Sequence, residues 1–563
     1  MPPCYLTTPI YYVNDRPHIG HCYTTLLADV AARFHRLLRG VGPWDQASGR
    51  TTESGVFFLT GTDEHADKVV TAAMERGLSP QEWADRNAAE FRAAFDFLGC
   101  RYDDFIRTTE ARHKDRVVEY IAALMQSGDI YRGEFTGWYD EGAEEYVTET
   151  VAKERGYRAA IGDRPLVRRT EPCYFFRLSR YQDALLGHIE RNPAFILPDA
   201  RRSEVLGRLR QGLHDVPVSR PVTSDPATQW GIRVPGDPAN RIYVWIDALF
   251  NYLSAVDTPQ RRGLWPATAH LIGKDILWFH AVVWPALLMA LGRELPRTVF
   301  GHGWWVADGQ KMSKSLGNFI DLERLKAYAA RYGLDALRWY LSTQGPLSGS
   351  DADFSHAKFV EVYNADLANG IGNCASRVAT LIAKNFEGKV PDPGDILVHA
   401  GHDWPTITRN AVHGEAAAVG DSIAALVGRL DLGTALSAGI NLVRTVDGYL
   451  SATTPWKLAK VIGAPDDVGV PSRRDLLAAI LYHCAEAIRV ASLLLSPAMP
   501  GSMERLWERW GCAPADGATL AELAEWRGDH SLRPGQPLAA GEPLFMRADP
   551  AEPPPAGPEP ARA

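Results

Sequence analysis

Apolar positions along the chain come in two patterns, and the change from one to the other divides it. In the first part, short dense apolar runs alternate with stretches of helical period, as in a parallel sheet covered by helices. Tyr5 to Val13 is a buried-strand run, followed by the turn Asn14-Asp15-Arg16-Pro17. A helix is predicted from His18 to about Leu38, closed by Gly40, with Leu26, Leu27, Val30, Ala31 and Phe34 on its apolar face. Val56 to Leu59 is a second strand, ending in the polar cluster Thr60-Gly61-Thr62-Asp63-Glu64-His65. Ser79-Pro80-Gln81-Glu82 is a capping-box start for a helix to about Leu98. Another helix runs from about Glu110 to Gln126, closed by Gly128.

From about Gly128 to Thr228 the rhythm breaks into sequence rich in charge, Tyr, Gly and Pro, which predicts an insertion between two halves of one sheet. It returns with a strand at Arg241 to Asp247, a strand His270 to Gly273, a helix from Lys274 to Leu291 and a strand Val299 to Val306. Beyond about Asn318 no strand is expected. Helical patterns fill roughly Ala357 to Lys384, Thr406 to Leu430, Gly433 to Leu450 and Arg474 to Leu495, a separate bundle. The tail Asp549 to Ala563, rich in Pro, Ala, Glu and Gly, predicts disorder.

The fold class is therefore α/β: a Rossmann-like parallel sheet split by an inserted domain, followed by an all-α bundle. The expected boundaries are 1–127 and 235–318 for the two halves, 128–234 for the insertion, and 319–360 for a linking segment. The helical domain is expected at 361–548 and the tail at 549–563.

Composition adds limits. A chain of 563 residues exceeds what one core holds, and 46% hydrophobic with 23% charged residues is ordinary for globular domains. The net charge of -8 gives no global sign of nucleic acid, so any such partner needs a local basic surface. The seven cysteines form no Cys-x-x-Cys pair, which argues against a disulfide framework or zinc ribbon and for a reducing cytoplasm. The start Met-Pro-Pro-Cys-Tyr has no signal core. The longest apolar run, Phe279 to Leu291, contains Pro285 and is too short to span a bilayer.

Two polar motifs carry candidate chemistry. His18 and His21 share one face at a helix N-terminus, where backbone N–H groups and the helix dipole favour an anion. Gly20 between them lets a ligand come close to the backbone. Two histidines that merely cap a helix are the plainer reading, but the strand–turn–helix context favours a nucleotide. The second motif is the loop Asp308 to Asn318, in which Lys311 and Lys314 lie among serines and glycines. Two ammonium groups there suit a polyphosphate; taken alone, a solvated turn is as good a reading. No P-loop occurs. Gly370 to Ala375 matches a dinucleotide fingerprint but sits in a helical pattern, not after a strand, and is set aside.

His18-Ile19-Gly20-His21 followed by Lys311-Met312-Ser313-Lys314-Ser315, on two halves of a split sheet, resembles the class I aminoacyl-tRNA synthetases. Further stretches resemble the methionyl-tRNA synthetases over nearly the whole chain, to about Ala548: Thr8 to Asn14, Gly61 to His65, Tyr243 to Ala248 and Ile272 to Ile276. The resemblance implies methionine-tRNA ligase activity: ATP-dependent formation of methionyl-adenylate, release of pyrophosphate, and transfer to tRNA(Met). It implies catalysis by His18, His21, Lys311 and Lys314, with Asn14, His18, Gly20, His21, Gly273 and Lys314 along the ATP. Methionine is then expected against Ile10, Tyr12, Trp245, Ala248, Leu249, Tyr252, Ile276 and His280, with Asp63 on its ammonium. By spacing alone, Trp245 and Tyr252 read as core packing. Asn373, Arg377 and Trp456 are implied at the CAU anticodon; by spacing alone they are a helix-face pair and a packing Trp in a polar loop.

Mg²⁺ is expected to arrive with ATP. The family often carries a zinc knuckle in the insertion, but Asp140 and Ala143 stand where its first cysteines would be, and Tyr157 to Pro165 has none. No structural zinc is expected. No membrane association is expected either, and the chain is expected to be a monomer. Synthetases for leucine, isoleucine or valine would carry a larger editing insertion, and the cysteine enzyme would need zinc ligands near its substrate. A small-molecule nucleotidyltransferase would not need the bundle. An RNA-binding or scaffold protein that has kept the fold is the alternative of a different class, against which the intact His18, His21, Lys311 and Lys314 argue.

Overall fold

The dense apolar runs pair into one sheet of six parallel strands. In spatial order these are Asp104–Arg107, Val56–Asp63, Cys4–Tyr12, Ala269–Gly273, Val299–His302 and Ile196–Leu197. The computed structural model describes residues 3–41, 55–140, 145–147, 149–159, 164–307, 310–312, 319–394, 420–464 and 471–555. Val56–Asp63 is buried at every position, as a strand covered on both faces must be. Helices Ile19–Arg39 and Pro80–Phe97 cover one face; Ala111–Gln126, Val244–Leu249, Asn251–Ser254 and Trp284–Ala290 cover the other. The chain leaves Cys4–Tyr12 toward one edge and Ala269–Gly273 toward the other. Their C-terminal ends therefore flank a crevice at the switch in strand order, where ligands of such sheets bind.

Local signals hold. Ser79 and Glu82 form the expected capping box, and the first helix closes at Gly40 in the left-handed region (φ 69°). Segments read from apolar runs alone needed correction. Arg241 to Asp247 is not one strand: the strand is Asp237–Ile242, and Val244–Leu249 is a helix. A short apolar run fits either element, and here packing against the sheet decides. The run Val299 to Val306 is two strands in two sheets, broken at Gly303, where a Cβ would lie 2.4 Å from the Ser350 carbonyl oxygen. The second piece, Trp305–Ala307, pairs with Gln310–Lys311 and with Ala352–Asp353, a strand beyond the point where none was expected.

The insertion carries its own antiparallel sheet, in which Ile130–Asp140 pairs with Val167–Phe176 along its length. It is not a clean insertion, because Ile196–Leu197 returns to the edge of the main sheet. Two residues beside a proline give no strand signal of their own.

In the bundle, Arg473–Leu495 is long and apolar enough to cross a membrane, but 94% of its most apolar window is buried inside the protein. It is a core helix, and it carries the buried ion pair Arg489–Glu486. Of the helix expected over Thr406 to Leu430, residues 420–428 are helical and 406–419 lie outside the described residues. The tail is corrected in part. Arg331 donates to the Pro553 carbonyl at 2.7 Å, and His356 Nε2 contacts the Glu552 carbonyl at 3.1 Å, so its first residues dock on the helices. Residues 556–563 lie outside the described residues.

One side chain joins the two domains. Arg338, fully buried on helix Leu334–Gln344, donates to Asp29 Oδ2 on the first helix (2.7 Å) and to the Leu98 carbonyl (2.7 Å). It also donates to the carbonyls of Pro497 (3.0 Å) and Ala498 (2.9 Å) in the bundle. Arg338→Met leaves three carbonyls and part of Asp29 unpaired in the interior. It is expected to cost about 3–5 kcal/mol in a denaturant titration; a loss below about 1 kcal/mol, the range of an exposed pair, would show that this joint is not needed.

Candidate active site

The first helix begins with a capping box built from two imidazoles. His18 is the N-cap, and its Nδ1 accepts the Gly20 N–H at 3.1 Å; His21 Nδ1 accepts the His18 N–H at 3.3 Å. With both Nδ1 atoms accepting, each ring carries its hydrogen on Nε2. The rings lie 3.8 Å apart, centroid to centroid. Burial, and then the neighbouring His18, push His21 well below the usual histidine range, so it is neutral. Gly20 has a steric reason beyond ligand access: a Cβ there would lie 3.0 Å from His18 Cε1.

The helix start opens into a cavity of about 660 Å³ at the switch point of the sheet. Every described residue expected at the nucleotide lines it: Asn14, His18, Gly20, His21 and Gly273. So do the expected methionine contacts Ile10, Tyr12, Asp63 and Trp245, together with Ala248, Leu249, Tyr252, Ile276 and His280. Tyr12 meets Trp245 edge-on at 5.8 Å, and Trp245 stacks on Phe279 at 4.6 Å. The Ile276 carbonyl lies 2.9 Å from His280 Nδ1, which therefore donates, leaving Nε2 to accept from the Tyr252 hydroxyl at 2.7 Å. Burial pulls His280 down to about 4, so this wall is uncharged.

Asp63 is the acidic exception in that wall. It is 3% exposed, and its Oδ1 makes no hydrogen bond. Burial first, and then the charge of Asp247, push its carboxyl well above the usual carboxylate range. A buried carboxylate with an open oxygen facing a cavity suits a cation.

Just past the two-lysine loop, Phe319 lines the same cavity. Lys311 pairs through its backbone with Val306, while Lys314 lies outside the described residues. Beyond the loop, Phe319 meets the His18 ring edge-on at 5.3 Å, and the Ile19 N–H donates to the Ile320 carbonyl at 3.2 Å. The chain on the far side of the loop is thus hydrogen-bonded to the start of the histidine helix.

Sequence reasoning missed other cavity residues, among them Asp275, His302 and Trp304. His302 Nε2 lies 2.8 Å from the Thr24 hydroxyl on the first helix, and the Trp304 indole N–H donates to Asp275 Oδ1 at 3.1 Å. His302 and Trp304 read as part of a buried strand; only the break at Gly303 reveals them. Asp275 lay in a stretch matched to the family without being given a role.

In the bundle, Asn373 is exposed on helix Asn373–Asn385. One turn on, the Arg377 guanidinium sits 5.4 Å from the centre of the Trp456 ring and pairs with Asp447 at 2.5 Å. Trp456 belongs to the short helix Pro455–Leu458, a correction of the loop expected there. The three residues form one half-exposed polar and aromatic patch.

The family model described as tRNA synthetases class I (M) matches residues 4–156 and 156–379. The methionine--tRNA ligase of Streptomyces coelicolor is 40% identical over 558 residues, covering 97% of this chain and 96% of that one. That of Caldanaerobacter subterraneus is 40% identical over 552 residues, covering 97% and 79%. The solved methionyl-tRNA synthetase of Mycobacterium tuberculosis, in complex with methionyl-adenylate, superposes with a TM-score of 0.82 at 35% identity, covering 97% of this chain and all of that one. With identity of this degree running through both the sheet and the bundle, the chain belongs to the methionine--tRNA ligases of the class I tRNA synthetase family.

Proposed function

We propose that the protein activates L-methionine with ATP in the 660 Å³ cavity and passes the methionyl group to tRNA(Met). The observation that carries the reading is that one cavity joins a paired-histidine helix start, a buried carboxylate with an open oxygen, and an aromatic, uncharged wall. The methionine ammonium sits on Asp63 and its thioether among Tyr12, Trp245, Tyr252 and His280, since sulfur packs well against rings. The carboxylate oxygen attacks the α-phosphorus of ATP, the bond to the bridging oxygen breaks, and pyrophosphate leaves. His18 and His21 donate from Nε2 to oxygens at that phosphorus. Lys311 and Lys314 neutralise the leaving pyrophosphate, with Lys314 the principal group. Asn14, Gly20 and Gly273 border the nucleotide. The work is positioning and charge stabilisation. Mg²⁺ enters with ATP as part of the substrate and offsets phosphate charge.

The insertion does not suit a structural zinc. Asp140 and Ala143 stand where the family's first cysteine pair would be, and Tyr157 to Pro165 has no cysteine. Its tip packs by other means. Trp138 and Tyr157 rings meet at 4.7 Å and both donate to Glu149, beside a small cluster of Ala152, Ala159 and Leu166. None of the seven cysteines is in a disulfide, as suits a reducing cytoplasm. The expected domain boundaries are kept in this reading, with Ile196–Leu197 counted in the catalytic sheet. A monomer completes the reading.

The deciding experiment is methionine-dependent exchange of pyrophosphate into ATP without tRNA. Exchange with methionine but not with leucine or cysteine is expected; folded protein that binds tRNA but exchanges with none would leave only the RNA-binding alternative. Trp456→Ala tests the patch in the bundle. Losing one stacked base is worth about 1–3 kcal/mol, so the KM for tRNA(Met) is expected to rise about 5- to 150-fold with exchange unchanged. An unchanged KM for tRNA(Met) would remove Asn373, Arg377 and Trp456 from the anticodon site.

A further inference from the structure

Behind the cavity runs a buried polar chain that the proposed reaction does not use. Asp247 is 1% exposed and sits between two imidazoles: His65 Nδ1 lies 2.6 Å from its Oδ2 and His113 Nε2 lies 2.8 Å from its Oδ1. The other nitrogen of His113 lies 2.8 Å from the Ser254 hydroxyl. Four elements meet in this chain. His65 is two residues past Asp63, at the end of strand Val56–Asp63. Asp247 is on helix Val244–Leu249, which carries Trp245, Ala248 and Leu249 of the cavity wall. Ser254 ends the helix Asn251–Ser254, which carries Tyr252, and His113 is on helix Ala111–Gln126.

We propose that Asp247, acting through His65 and His113, is the positioning residue that fixes the ammonium-binding carboxylate Asp63 relative to the wall that receives the substrate side chain. The inference rests on the reading of the cavity as the methionine site. An amino-acid substrate is gripped at two points a few bonds apart, and each grip lies on a different element. Sub-ångström register between strand end and helix therefore sets how well both can be used at once. Apolar packing alone does not fix such a register, because it is non-directional. A carboxylate that holds one imidazole on each oxygen does fix it, since both hydrogen bonds are directional and buried. The strand end is held from its other side as well: the Trp230 indole N–H donates to the Glu64 carbonyl at 2.6 Å, and Arg107 pairs with the Glu64 carboxylate at 2.7 Å. The chain thus holds a strand end that is already stiff against a helix with no other polar tie to it among the described residues.

The test is pyrophosphate exchange by the full-length protein, with methionine and ATP varied separately. Asp247→Asn is expected to raise the KM for methionine at least tenfold and to change the KM for ATP less than threefold. The ATP end of the cavity serves as the internal control, because a merely structural role would move both constants together. His65→Leu is expected to repeat the effect. His65→Asn, whose amide nitrogen takes the place of Nδ1, is expected to recover most of it, and this pair keeps the test open if Asp247→Asn does not fold. Equal changes in both constants, or no recovery in His65→Asn relative to His65→Leu, would overturn the proposal. A wild type without methionine-dependent exchange would instead overturn the reading of the site itself, and the proposal with it.

Discussion

His21→Ala is expected to lower kcat for methionine-dependent pyrophosphate exchange by about 10²–10³-fold, the effect of removing one preorganised donor from a site of developing charge. The expectation comes from how the ring is held. Its Nδ1 is occupied by the His18 N–H, so the Nε2 hydrogen is fixed in place before substrate arrives. Burial keeps the ring neutral, which makes it a hydrogen-bond donor with no net charge to desolvate. The fold should survive, because losing a helix cap costs about 0.5–2 kcal/mol. For a protein of this size that is a few degrees in Tm. Exchange within threefold of wild type in a folded variant would remove His21 from the machinery.

Asp63→Asn is expected to act in two opposite directions. Removing one partner of a buried charged pair costs about 2–5 kcal/mol, so the KM for methionine should rise about 30-fold or more. The empty protein should become more stable at neutral pH. Asp63 is held above the ordinary carboxyl range by burial and by Asp247, so the folded state binds its proton more tightly than the unfolded state does. Between those two values the unfolded state carries fewer protons, and stability falls as pH rises. Asparagine does not titrate and lacks that loss. Thermal melts of the two proteins without ligand should therefore diverge as pH rises above the ordinary carboxyl range, with the variant higher. The same logic ties substrate to pH: below the raised value the carboxyl must release its proton to take the ammonium, so the KM for methionine should climb in acid. Parallel melting curves with an unchanged KM would mean that Asp63 does not face the substrate.

That a side chain costly to bury is the one expected to grip the substrate is a common trade between stability and function. Its surroundings show why sequence reached some of this site and not the rest. His18, Gly20 and His21 were legible because a capping box is made by residues within one helical turn. Ser79 and Glu82 were legible for the same reason. Trp245, Tyr252 and His280 carried no local signal of function; apolar and aromatic positions in short runs look alike whether they fill a core or line a cavity, and only the family resemblance separated them.

By itself the sequence determined the alternation of strand and helix, the parallel sheet, the separate bundle and both polar motifs. These rest on periods and caps that neighbouring residues write into the chain. The tertiary structure alone decided that the segment holding Trp245 is a helix, and that Ile196–Leu197 completes the sheet's edge. It also decided that His302 turns toward the first helix and that Arg338 joins the catalytic domain to the bundle. His65 and Asp247 meet across 182 residues and His113 and Asp247 across 134. No local propensity encodes such meetings, because they are selected by the packing of whole elements and by the need of each buried polar group for a partner.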